Sequence, residues 1–220
     1  MKKFIYLLLF FFLTVLSAEE LGDEINSNNY ADFLNAENEK IQIANELNKI
    51  KKDLPNIKDI DLKKYESYKI DVDVNKKTMY FYGINEGGKV LLQVYLVGSP
   101  KTTVDFPHYS CKVLKVETNP WWYPSQNTIQ EFKEKKNINL PRAIAPGDKN
   151  NYMGPFKIIL SNSTQKNPSI YRIHGNVDAT TIGKRSSGGC VRMYNDEGKE
   201  FAILVRDILK QDKQISVLYI

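Results

Sequence analysis

The sequence predicts a mainly β domain preceded by a polar, largely helical extension. Three observations carry this. Apolar residues at 43, 47, 50 and 54 recur at helical spacing and stop at Pro55. From Tyr68 the period falls to two, with Ile70, Val72 and Val74 alternating with charged residues. Further short apolar runs then follow, with only one strongly amphipathic helix near the end.

The first eighteen residues read as an export signal. Lys2 and Lys3 give a positive start, Phe4 to Leu16 is apolar apart from Thr14, and Ser17-Ala18 supplies small residues. The run is shorter than the ~20 residues a membrane span needs, and an uncleaved N-terminal anchor is the alternative. Either reading places the rest of the chain outside the cytoplasm, in the periplasm or cell envelope. No later segment has the length and apolarity of a span.

Residues 19–67 form the extension, with one amphipathic helix expected over 30–52 and its partner, if any, unread. Residues 68–220 form the main domain. Tyr68–Val74, Met79–Tyr82 and Val90–Val97 are separated by Asn75-Lys76-Lys77 and by Gly83 with Gly87-Gly88, the pattern of a β-meander. Cys111–Val116, Phe156–Leu160, Tyr171–His174 and Ile215–Tyr219 read as further strands. Between them, 119–154 reads as a long irregular stretch of the kind that often carries function. In the late helix Asn195 is the expected cap, Asp196 and Glu197 suit the positive first turn, and Phe201, Leu204, Val205 and Ile208 make the buried stripe.

The formal net charge of +5 includes Lys2 and Lys3, and lysines and acids are mixed along the chain. No basic block marks a nucleic-acid partner. Two cysteines and two histidines without CxxC or HxxxH spacing argue against a metal site. A Cys111–Cys190 disulfide is one reading of an exported chain, and a buried inert Cys111 thiol is the other. His108 reads as a surface residue.

The chemistry concentrates in 171–193. His174 ends an apolar strand and is followed by Gly175; sixteen residues later Cys190 follows Gly188-Gly189. A cysteine with a pKa near ~8.5 is only about 4% ionised at pH 7. A histidine in contact can take its proton, and glycines free backbone N–H groups to meet an oxyanion. Spacing alone is equally compatible with a buried cysteine and a core histidine around a Gly-rich turn.

The segment resembles the L,D-transpeptidase catalytic domain of the YkuD type. That family's pattern is an H-G pair, an I-G pair, then S-x-G-C-[IV]-R. Here it reads His174-Gly175, Ile182-Gly183, then Ser187-Gly188-Gly189-Cys190-Val191-Arg192. Asn119–Asn127 resembles the family's N-P-x-W-x-P segment, Ala145–Gly154 its P-x-G-x-x-N-x-x-G loop, and Val94–Gly98 its strand ending in V-G. Two departures stand out. Gly188 occupies a position where many members carry histidine, and Tyr152 stands where a proline often follows the loop asparagine.

The resemblance implies a two-sheet β-sandwich with the cleft at its edge. It also implies a peptidoglycan tetrapeptide stem as substrate, with no metal or organic cofactor. Cys190 is then the nucleophile and His174 the base, its ring held by the Gly188 carbonyl with Ser187 nearby. The Gly189 and Cys190 N–H groups form the oxyanion hole. Arg192 is a candidate for a stem carboxylate or for a structural ion pair. Trp122, with Trp121 and Tyr123, is a candidate aromatic lid or a packing residue, and Ser187 and Tyr152 are candidate substrate-binding residues of the cleft. An acyl-enzyme of this kind serves a transpeptidase making 3→3 cross-links or an L,D-carboxypeptidase. A non-catalytic wall-binding protein is the reading from another class.

Overall fold

The computed structural model describes residues 27–104, 106–107, 109–162 and 168–220. The export signal expected at 1–18 and the surface position of His108 lie outside the described residues. Among the described residues, those up to Glu39 and those from Lys40 onward fall into two compact units.

The expected N-terminal helix is α1, Ser27–Lys51. In the larger unit its second half packs as the periodicity requires. Leu47 is buried with Val94, Leu96 and Ile182, flanked by Ile43, Ala44 and Leu54. Ile50, the third member of the sequence pattern, stays at the surface. No helix among the described residues is long and apolar enough to cross a membrane.

The meander forms as read: β1 (Ser67–Asp73), β2 (Thr78–Asn85) and β3 (Gly88–Leu96) pair antiparallel in that order. After the short β4 (Ser99–Pro100), β5 (Cys111–Thr118), β6 (Phe156–Ser161) and β7 (Pro168–His174) make a second antiparallel set. The two-residue strand β9 (Val191–Arg192) adds in parallel to the edge of β7. The last strand, β10 (Ile215–Tyr219), runs parallel to β1 and antiparallel to β5. It thereby joins the two sets into one sheet of order β3-β2-β1-β10-β5-β6-β7-β9. A small second sheet pairs β4 with β8 (Arg185–Ser187).

One hydrophobic core spans both halves of the large sheet. Ile70, Phe81, Ile158 and Ile173 are fully buried in it, because alternate side chains of each strand share a face. The late helix, here the third (α3, Asn195–Leu209), lays Phe201, Leu204, Val205 and Ile208 into that core. The Phe201 ring sits 5.3 Å from Phe81 in a T-shaped contact and 5.1 Å from Tyr95. Truncating such a residue to alanine costs about 3–5 kcal/mol.

Two local expectations need correction. Asn195 is the first helical residue and not the cap. Its side chain instead clamps Asn176, donating to the Asn176 carbonyl at 2.7 Å and accepting the Asn176 N–H at 2.8 Å. Tyr194 occupies the cap position without a side-chain bond. The second correction concerns 119–154, which contains a helix, α2 (Gln126–Lys136). Ser125 caps it by accepting the Thr128 N–H at 3.1 Å, and Asn137 ends it at φ +52°. Only Ile129 and Phe132 are apolar along its eleven residues, too few for a periodic signal.

Candidate active site

The register of β7 and β9 builds the site. Ile173 and Val191 are Cα partners, and both are fully buried in the core. Residues one step away on either strand must point the other way. That rule puts Arg172, His174, Cys190 and Arg192 together on the outer face. On the other side of β7, His174 pairs with Lys157 and Arg172 with Ile159 of β6, so these share the face as well. Lys157 is held by Glu117 of β5 at 2.6 Å.

Although it is on the outer face, His174 is only 3% exposed. Its Nδ1 lies 2.6 Å from the Gly175 carbonyl oxygen. A carbonyl only accepts, so Nδ1 carries the proton and Nε2 keeps its lone pair. Burial, with Arg192 and Arg172 adding to it, pulls the imidazole down to about 3, opposed by the Gly175 and Met153 carbonyls. The ring is therefore neutral at physiological pH. The expectation that the Gly188 carbonyl orients it is corrected: the Gly175 carbonyl sits there, one residue along the same strand end. The Asn195–Asn176 clamp fixes that turn from behind. Gly188 itself is exposed, and a Cβ there would meet no atom within 4 Å.

Cys190 is partly exposed, with its Sγ 4.0 Å from the Ile170 carbonyl oxygen. The thiol sits deep among neighbouring atoms, and this desolvation pushes its pKa up. The Arg172 backbone N–H and the positive charges of Arg172 and Arg192 pull it down. Residue 189 has φ +121°, and a methyl group there would approach the Tyr171 ring to 3.1 Å. Glycine is required on both counts. Gly98 is similarly constrained, because its Cβ would fall 2.7 Å from the Thr181 carbonyl oxygen. That close approach lets Gly98 exchange backbone bonds with Arg192 at 2.8 and 2.9 Å, steadying the far side of β9.

Ser187 is corrected from a substrate contact to a brace. It is 1% exposed, and its hydroxyl donates to the Cys190 carbonyl at 2.5 Å while accepting the Gly189 N–H at 3.2 Å. The Gly189 N–H of the expected oxyanion pair is thereby engaged within the loop. Arg192 is half-buried, and its Nη1 reaches the Ser186 hydroxyl at 3.4 Å. No carboxylate among the described residues forms an ion pair with it. Cys190, Asp178, Tyr152 and Glu131 are its charged or polar surroundings.

The segment 119–154 forms a cap with its own core of Trp122, Leu140 and Ile144, flanked by Ile129, Phe132, Ile138, Tyr152 and Met153. Trp122 is 8% exposed and packs 5.4 Å from the Tyr152 ring, so it is a packing residue and not a lid surface. The exposed aromatic side chains are its neighbours Trp121 and Tyr123. Tyr152 stays half-buried at the cap edge, with Lys136 Nζ 3.4 Å from its hydroxyl. Asn151 ties the cap together. Its amide donates to the Pro120 and Ala145 carbonyls at 2.9 Å each and accepts the Met153 N–H at 3.1 Å.

The comparison with known families decides what this arrangement belongs to. The YkuD family, described as the L,D-transpeptidase catalytic domain, matches residues 67–210, well over half of the chain. The chain belongs to the L,D-transpeptidase catalytic-domain family. The probable L,D-transpeptidase ErfK/SrfK of Salmonella typhimurium is 30% identical over 131 residues, covering 59% of this chain and 38% of that protein. The probable L,D-transpeptidase YcfS of Escherichia coli is 30% identical over 132 residues, with the same two coverages. The chain thus spans about two fifths of the length of these L,D-transpeptidase relatives. Among solved structures, L,D-transpeptidase 3 from Mycobacterium tuberculosis aligns with a TM-score of 0.44 at 9% identity, covering 70% of this chain and 61% of that one.

Cys111 is a free, fully buried thiol on β5, and burial pushes its pKa up to about 11. Cys190 is likewise free, so the two form no disulfide. Sequence reading missed Arg172 and the Asn176–Asn195 clamp. Arg172 could have been found from strand alternation, since it lies two residues before His174 and must share its face. The clamp joins residues nineteen apart and left no local signal.

Proposed function

We propose that the chain is a peptidoglycan L,D-transpeptidase acting outside the cytoplasm through a Cys190 thioester. The observation that supports it most is the placement of Cys190, His174 and Arg192 on one face of β7 and β9, within a chain of this family. Arg192 anchors a carboxylate of the tetrapeptide stem bidentately. The Cys190 sulfur attacks the carbonyl carbon of the third residue, and its proton passes to His174 Nε2. The Cys190 N–H receives the oxyanion. As the tetrahedral intermediate collapses, the carbon–nitrogen bond to D-alanine breaks, and imidazolium returns the proton to the departing amine.

A thioester remains. An amine of a second stem attacks it, gives its proton to His174, and expels the thiolate, which leaves a 3→3 cross-link. Water in place of the amine yields a tripeptide. The exposed rings of Trp121 and Tyr123 lie on the cap that flanks this face and suit contact with a stem peptide or sugar.

The test is product analysis with a disaccharide-tetrapeptide and the residue 19–220 protein, alongside Cys190→Ala. Dimers cross-linked 3→3 with release of D-alanine are expected, and both vanish in the variant. Tripeptide without dimers would reassign the chain as an L,D-carboxypeptidase. Unaltered substrate would favour a wall-binding protein.

A further inference from the structure

We infer that Arg172 is a positioning residue for the nucleophile, a fixed positive charge on the outer face of β7 that favours the Cys190 thiolate. This rests on the reading of Cys190 as the nucleophile and goes beyond the motif that reading uses. Val191 pairs with Ile173 in a parallel ladder, and Cys190 precedes Val191 as Arg172 precedes Ile173, which makes the two residues neighbours at the start of β9.

The Arg172 guanidinium is also tied down. Its Nη1 donates to the Tyr171 carbonyl at 2.7 Å and to the Ser169 carbonyl. Those two carbonyls bracket Ile170, whose own carbonyl oxygen is the one 4.0 Å from Sγ. The guanidinium is therefore fixed along this stretch of strand on the edge facing β6, while the Ile170 carbonyl faces β9 and the sulfur. The Arg172 backbone N–H adds a donor for the thiolate, whereas the Ile170 carbonyl can accept only from the thiol.

The other groups facing the sulfur do not replace this charge. His174 on the same strand is neutral, so it offers no imidazolium to stabilise a resting thiolate. Tyr219 of β10 approaches from the core side and is uncharged at neutral pH, being pushed upward by burial. Arg192 on β9 is the second cation, and it faces Asp178, Tyr152 and Glu131 as well as the thiol. Arg172 feels Glu117 besides Cys190, and Glu117 is engaged by Lys157 and Lys115 at 2.6 and 3.1 Å. Two permanent cations thus oppose the desolvation that raises the thiol, and one of them is committed to substrate carboxylate in the proposed cycle. Arg172 is the one that stays with the sulfur throughout.

The test reads the thiol without any substrate. Cys190 is alkylated with iodoacetamide from pH 5 to 10, and its rate is followed by peptide mapping, which separates it from Cys111. Arg172→Met is expected to raise the midpoint of the rate profile by about one pH unit, a roughly tenfold lower rate at pH 7, with the high-pH plateau unchanged. Arg172→Lys restores most of the rate, because the charge returns. Arg172→Gln keeps a donor for the strand carbonyls but no charge, and it shifts like Arg172→Met even if the latter folds poorly. Lys115→Met, an exposed charge on β5, leaves the midpoint in place. An unshifted midpoint in Arg172→Gln, or no recovery in Arg172→Lys, would overturn the inference while leaving the transpeptidase reading intact. Failure of turnover with the shift present would sink that reading and leave this one standing.

Discussion

Replacing Asn151 by alanine tests how the cap over the site is held. Three good hydrogen bonds are lost, two from its amide to the Pro120 and Ala145 carbonyls at 2.9 Å and one accepted from the Met153 N–H at 3.1 Å. A fourth contact, to the Ile144 carbonyl at 3.4 Å, is too long to count for much. The side chain is 2% exposed, so water does not replace the lost partners without opening the loop. At about 1 kcal/mol per bond the cap loses about 3 kcal/mol, a roughly 150-fold shift toward its open form. The sheet is unaffected, because the three bonds close only the segment between residues 120 and 153. Hydrogen exchange followed by mass spectrometry reads this directly. Peptides containing Trp122 and Ile144, whose backbones exchange bonds at 2.9 and 3.0 Å, are expected to exchange on the order of 100-fold faster. Peptides from β1, β2 and α3 keep the parent rate. Cap exchange within twofold of the parent would refute the argument that Asn151 is the cap's internal tie.

Further outcomes follow from the same geometry. His174 is held neutral with its pKa near 3, while the unfolded chain binds the proton near 6.5, so stability falls as the pH drops below 6.5 and continues to fall toward 3. Between pH 6.5 and 5 this group alone removes about 1–2 kcal/mol, and urea titrations are expected to show that loss reduced by the same amount in His174→Gln. Gly189→Ala forces φ +121° on an L-residue and brings a methyl to 3.1 Å of Tyr171; a cost of about 1–3 kcal/mol and a loss of Cys190 acylation are expected, checked by thermal melting and intact mass. Cys111, buried and with its pKa near 11, should resist a thiol reagent at pH 8 that modifies Cys190, and both should react in denaturant, as thiol counting will reveal.

Much of the fold was legible because it is written in local periods. Ile70, Val72 and Val74 gave the meander, and Phe201, Leu204, Val205 and Ile208 gave the stripe of α3. The Cys190 and His174 motif was legible through its glycines, of which Gly189 takes a left-handed φ. What escaped depends on contacts between distant segments. β9 is two residues long and is defined by its pairing with β7, so the neighbourhood of Arg172 and Cys190 appears only once register is known. Ser187 looked like a cleft residue because the motif places it near the nucleophile, but its hydroxyl is used within the loop. Trp122 looked like a lid for the same kind of reason, and the α2 residue Phe132, 6.3 Å away, is what draws it inward. Asn195 had the right type for a cap, and a second asparagine nineteen residues earlier took its side chain.

The most direct measurement is the intact mass of the protein after brief incubation with a tetrapeptide stem and no acceptor amine. A covalent adduct equal to the tripeptide acyl group, mapped to Cys190 and absent from Cys190→Ala, is the expected result. An adduct that persists in Cys190→Ala, or D-alanine released at the parent rate by that variant, would contradict the assignment of Cys190 as the nucleophile.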